Sequence, residues 1–117
     1  MINRVLRFTD SNNTGTNPTV IMDNIPASRG YHSGGSMAFG PDDKLYIAVG
    51  HATEHIFAQD PSIAIGKVLR VNKDGTIPLD NPYPNSPVYP LGLPSSCTGS
   101  KFLKFFLPSP FWTRSGT

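Results

Sequence analysis

Proline recurs so often in this chain that no stretch is free to form a long helix. Twelve prolines and eleven glycines are spread through 117 residues. Inside a helix, proline removes a backbone donor and collides with the preceding turn, at a cost of about 3 kcal/mol. A helical bundle and a coiled coil are therefore excluded first. Short extended segments joined by turns remain. Hydrophobic residues make up 38% of the chain, enough for one core, and the length suits one domain rather than two. No run of about 18 apolar residues exists, so no membrane span is expected. The start, Met1-Ile2-Asn3-Arg4-Val5, lacks the apolar stretch of a secretory signal, so none is expected. The single cysteine, Cys97, has no partner for an internal disulfide.

The formal net charge of +2 conceals an asymmetry. Residues 1–93 carry seven Lys/Arg and all eight Asp/Glu, whereas residues 94–117 carry Lys101, Lys104 and Arg114 with no acid. The high isoelectric point thus belongs to the tail and describes no basic face, so nucleic acid is not an expected partner. The tail also crowds Phe102, Phe105, Phe106, Phe111 and Trp112 between prolines, without alternation. A boundary is placed at Leu93, with a folded segment before it and a disordered or out-of-frame tail at 94–117.

Before that boundary the chain reads as strands and turns. Strands are expected at 4–8, 19–23, 36–39, 45–49, 67–71 and 88–91, where β-branched and aromatic residues cluster. A broad turn is expected over 10–16, rich in Asn, Gly and Thr. Gly40-Pro41-Asp42-Asp43 closes a hairpin between 36–39 and 45–49. A long loop over 50–66 holds one helical turn at 61–65. Arg4-Val5-Leu6-Arg7-Phe8 is echoed by Lys67-Val68-Leu69-Arg70-Val71, each ahead of a polar turn. Short strands echoed at such an interval suggest propeller blades or another repeated sheet.

The stretch Tyr31-His32-Ser33-Gly34-Gly35-Ser36-Met37-Ala38-Phe39-Gly40-Pro41-Asp42-Asp43-Lys44-Leu45-Tyr46 resembles a signature of the glucose/sorbosone dehydrogenases, soluble quinoproteins that use pyrroloquinoline quinone (PQQ). The likeness continues through Ala58-Gln59-Asp60-Pro61, Gly66 to Pro78, Asp80-Asn81-Pro82-Tyr83-Pro84 and Ser86-Pro87-Val88-Tyr89, and covers residues 3–93. It implies an all-β chain: part of a six-bladed β-propeller, about one and a half blades of antiparallel strands. It also implies oxidation of an aldose to its lactone, with PQQ and calcium as cofactors and a sugar as partner. Members of the family it resembles are typically periplasmic or secreted.

The resemblance places the family's general base at His32, which takes the proton of the anomeric hydroxyl while hydride passes to the quinone. A neutral imidazole suits that task near pH 7. It places Gly34 and Gly35 at the cofactor, where a missing side chain lets backbone approach a flat ring. Glu54 and His55 fall in a polar loop near the substrate mouth and are candidate sugar contacts. No residue is assigned to a metal. The family's Arg-Asn pair at the quinone site is here Pro94-Ser95, and His51 stands where an acid is usual. Proline supplies no donor to a carboxylate. The expectation is therefore a sugar dehydrogenase segment that is inactive as this chain stands. The other reading is a non-catalytic propeller binding module.

Three further motifs have simpler readings. His51-Ala52-Thr53-Glu54-His55 matches a zinc peptidase pattern, but follows a strand and is read as loop. Asn12-Asn13-Thr14 is a formal glycosylation sequon in a turn. Asp42-Asp43 and Asp74-Gly75 are read as turn residues.

Overall fold

The computed structural model describes residues 2–27, 35–51 and 55–89. Their architecture is all-β and antiparallel. Strands β1 (Ile2–Ser11) and β2 (Thr14–Pro26) form one hairpin. Strands β3 (Ser36–Phe39), β4 (Leu45–Val49) and β5 (Lys67–Val71) form a sheet in that order. Val88 adds a single bridge to Leu69 at the free side of β5.

The last three named strands occupy the expected residues. The first hairpin departs from expectation: the broad polar turn over 10–16 is mostly strand. Asn12 and Asn13 both adopt positive φ, 51° and 65°, so two residues suffice for the reversal. Asparagine tolerates that conformation better than most residues. The Asn13 amide donates to the Asp10 carboxylate at 2.9 Å, and Thr14 and Thr16 are then free to pair with Ser11 and Thr9. Further along, Asn17 and Pro18 together face the single residue Phe8, making a bulge with Asn17 at φ 49°.

Two other expectations need correction. The helical turn lies at His55–Gln59, as a 3-10 helix, and not at 61–65. Asp60 caps that later stretch, accepting from both the amide and the hydroxyl of Ser62. The strand expected at 88–91 is only the Val88 bridge within the described residues; 90 and 91 lie outside them.

The core lies between the hairpin and the three-stranded sheet. Ile21 and Ile25 of β2 pack with Ile47, Val49, Ile65, Leu69, Val71 and Val88. Full burial of side chains such as Leu69 contributes about 2 kcal/mol each. Every residue of β5 is buried, including its two cations, Lys67 and Arg70. The Lys67 ammonium donates to the carbonyls of Phe57 and Ile65, both at 2.8 Å, and so ties the 3-10 helix and the following loop to β5. Burial pulls the Lys67 pKa below its usual value, against the opposing influence of Asp60.

No helix among the described residues is long and apolar enough to cross a membrane.

Candidate functional site

Gly35 is the described member of the expected His32–Gly35 site. It enters β3 with φ 117°, and its amide donates to the Ala48 carbonyl at 2.9 Å. A Cβ built there would meet nothing within 4 Å among the described residues. A cleft of about 290 Å³ adjoins it, lined by Asn3, Arg4, Ile25, Met37, Ile47 and Val49, among others. His32 and Gly34 lie outside the described residues, as does Glu54. His55 opens the 3-10 helix, and its side chain is likewise outside the description. His51 is buried directly after β4, ahead of that helix.

The tight polar constellation that the structure does show was not foreseen. It centres on Arg70, whose side chain is only 6% exposed. Its guanidinium donates to Asp42 through Nη2 at 2.7 Å and to Asp80 through Nη1 at 2.9 Å. It also reaches the Asn81 side-chain oxygen at 2.9 Å and the Tyr46 hydroxyl at 3.2 Å. Asn81 returns donors to the carbonyls of Arg70 and Ser86. The Tyr89 ring lies 5.5 Å from the guanidinium carbon and edge-on to Tyr46. The one available signal was a lone arginine at a buried position in an apolar strand, which demands acids nearby. Nothing in the spacing said that they would come from 28 residues before and ten after.

This network is a structural clamp. It ties the β3–β4 turn to the segment after β5. Partial burial acts to raise the Asp42 carboxyl, but hydrogen bonds from Arg70, the Lys44 amide and Tyr46 outweigh it and hold it below its ordinary value. The Asp80 carboxyl is lowered chiefly by its hydrogen bond to Arg70. Burial, then the hydrogen bond to Asp42, pushes the Tyr46 phenol up to about 12.

A pH dependence follows. A carboxylate with a depressed folded-state pKa stabilises the fold above its unfolded value of about 4 and loses that contribution as pH falls through the folded value. The melting temperature of wild type is expected to exceed that of Asp42→Asn at pH 6. The gap is expected to narrow as pH falls below about 4 and to close once pH passes the lowered folded-state value, where the wild-type carboxyl protonates. Thermal melts from pH 7 to 2.5 check it, and a gap constant over that range contradicts the linkage.

The same pairing bears on PQQ, the cofactor that the resemblance implies. PQQ carries carboxylates and needs cations beside an open surface. Among the described residues, Gly35 offers the open surface. Arg4, the charged residue in the adjoining cleft, is held by both oxygens of Asp23 at 2.9 and 2.7 Å. Arg70 is held by Asp42 and Asp80, Lys73 by Asp43, and Lys67 by backbone carbonyls. These four cations are thus already engaged by partners within the described residues.

Comparison with known proteins places the chain. The family model for Glucose / Sorbosone dehydrogenase matches residues 1–93. Quinoprotein glucose dehydrogenase B of Acinetobacter calcoaceticus is 30% identical over 112 residues, covering 75% of this chain and 23% of the relative. The PQQ-bound form of an aldose sugar dehydrogenase from Streptomyces coelicolor superposes with a TM-score of 0.66 at 35% identity, over 74% of this chain and 27% of that one. The apo form of the soluble aldose sugar dehydrogenase from Escherichia coli gives 0.68 at 27% identity, over 80% and 28%. The chain thus spans about a quarter of the length of these relatives. Its fold is part of a β-propeller, as the strand pattern and the resemblance led one to expect. With four-fifths of its residues inside the match, this chain belongs to the glucose/sorbosone dehydrogenase family.

Proposed function

We propose that this chain is the base-bearing segment of a PQQ-dependent sugar dehydrogenase, and that it is inactive alone. The observation that carries the reading is the ordered family match leading through His32-Ser33-Gly34-Gly35 straight into β3. In this reading His32 accepts the proton of an aldose's anomeric hydroxyl on its neutral imidazole. The bound quinone supplies the two-electron oxidation, and calcium accompanies it in the family. Gly34 and Gly35 admit the flat cofactor, with Gly35 already in a backbone conformation that other residues rarely adopt. Glu54 and His55 contact sugar.

Residues 1–93 are the propeller segment, and 94–117 are a tail foreign to it. A shifted reading frame near the Leu93 codon accounts both for Pro94-Ser95 in place of Arg-Asn and for the change in composition. A second reading is a non-catalytic binding module. It is favoured by the commitment of Arg4, Lys67, Arg70 and Lys73 to internal partners.

The experiment is His32→Ala in a version whose frame is restored past Leu93. Losing a general base is expected to lower kcat by about 10²–10⁴-fold, with KM for glucose changed only a few-fold. Sugar oxidation at an unchanged kcat would remove His32 from the mechanism.

A further inference from the structure

We propose that Lys67 is a positioning residue for the sugar side of the site, its buried ammonium holding the 3-10 helix that opens with His55 against the end of the sheet where Gly35 enters β3. This role rests on the reading of the chain as a sugar dehydrogenase segment, and it belongs to a residue that acts through others.

The two ends of the three-stranded sheet differ. At one end lie the β3–β4 turn and the Arg70 clamp, with Phe39 opposite Leu45 and Tyr46 opposite Arg70. At the other end Val49 stands opposite Lys67. There the Gly66 amide donates to the Gly50 carbonyl at 3.0 Å, and the Gly35 amide to that of Ala48 at 2.9 Å. His32 precedes Gly35 by three residues in the chain, and the connection over 50–66 carries Glu54 and His55. Every residue that the reading gives to base, cofactor or sugar thus belongs to a segment joined to this second end.

The helix needs an external tie. A connection as long as 50–66 is usually functional, and a 3-10 helix of five residues has few and poorly shaped hydrogen bonds of its own. Ile56 is 78% exposed, and Gln59 is exposed as well. Among the described residues, the Phe57 side chain on the core and the Lys67 ammonium hold the helix down.

Lys67 supplies its tie from the far boundary of the connection. The residue is fully buried. Its Nζ donates at 2.8 Å to the Phe57 carbonyl, ten residues back, and at 2.8 Å to the Ile65 carbonyl. The Asp60 amide donates to the same Phe57 carbonyl at 3.1 Å, so strand, helix and following turn meet on one oxygen. Asp60, the acid acting on Lys67, is itself bound to the amide and hydroxyl of Ser62. Among the described residues, carbonyls rather than a carboxylate therefore hold the charge. Packing does not require a charge there, since a buried ion replaced by an apolar group of similar volume is often no less stable. What the ammonium adds is a fixed placement of the helix on β5.

The test follows Lys67→Met, which keeps most of the volume and removes the donors, and Lys67→Gln, whose shorter side chain keeps a donor. In the 117-residue chain the Asp60 amide is expected to exchange at least about tenfold faster in Lys67→Met, with Leu69 of β5 unchanged. In the frame-restored version loaded with PQQ and calcium, KM for glucose is expected to rise about tenfold, with kcat per bound PQQ held within about twofold. A loss of stability alone would lower the amount of active enzyme and leave KM where it was. Lys67→Gln is expected to move both readings the same way by less, and it carries the test should Lys67→Met fail to fold. Lys73→Met, which breaks the pair with Asp43 at the other end of the sheet, is expected to change neither. Unchanged exchange at Asp60 overturns the role of Lys67 and leaves the sugar dehydrogenase reading intact. So does an unchanged KM in an active frame-restored enzyme, or a fall in kcat at constant KM. A frame-restored chain that oxidises no sugar overturns that reading and the role with it.

Discussion

Replacing Gly75 with valine is expected to abolish docking of the first hairpin onto the sheet. Gly75 closes the turn after β5, where its amide donates to the Asn72 carbonyl at 2.9 Å and its φ is 89°. Residues with a Cβ pay about 1–2 kcal/mol in the left-handed region, and β-branched ones more. Space is the second cost. A Cβ at this position would be driven into the backbone carbonyl of Ile21. Ile21 is part of β2 and of the core, so relief requires the hairpin to lift from the sheet. Together these costs exceed about 4 kcal/mol, a range that few single substitutions reach. Gly35 provides the comparison, since its φ is also positive but nothing among the described residues lies near its missing Cβ. Gly35→Ala is expected to cost only the backbone component. Urea titrations of both variants, with hydrogen exchange at Ile21 and Ile25, check the contrast. Equal effects at the two glycines would refute the close approach at Ile21.

The second large effect is expected at Arg70. Arg70→Met keeps much of the volume but leaves Asp42, Tyr46 and Asn81 without the group they converge on. Removing one partner from a buried ion pair costs about 3–5 kcal/mol. Asp80 is 73% exposed and returns to water easily, so the lower end of that range applies. Arg70→Lys should recover little, because an ammonium cannot hold two carboxylates and an amide oxygen in one plane. A double-mutant cycle with Asp42→Asn gives the check, with a coupling of at least about 1 kcal/mol expected. Additive effects would mean that Arg70 acts through packing alone.

Much of this architecture is legible in the residues. The segments 36–39, 45–49 and 67–71 combine β-prone side chains with a Gly-Pro-Asp-Asp turn or a Lys-Asp-Gly-Thr turn, so local preference and tertiary structure agree there. The first hairpin is not legible, because Asn, Gly and Thr over 10–16 suggest a loop by composition. Two left-handed asparagines make the turn so tight that the threonines become strand. The helical turn lies at His55–Gln59 rather than 61–65 because Lys67, distant in sequence, holds that stretch in place through the Phe57 carbonyl. The Arg70 clamp joins residues distant in sequence, and no local pattern encodes such a meeting. The candidate site was legible only through family resemblance. A histidine followed by two glycines has no chemistry of its own until something else is set beside it.

The most direct measurement is a dye-reduction assay on the chain as it stands and on its frame-restored version, with glucose and other aldoses and with PQQ and calcium in excess. Positioning a cofactor against its substrate accounts for many kcal/mol of a catalysed barrier. The account predicts no turnover above the protein-free control for the 117-residue chain, and turnover lost on His32→Ala for the restored one. Turnover by the 117-residue chain itself, abolished by His32→Ala, would contradict it.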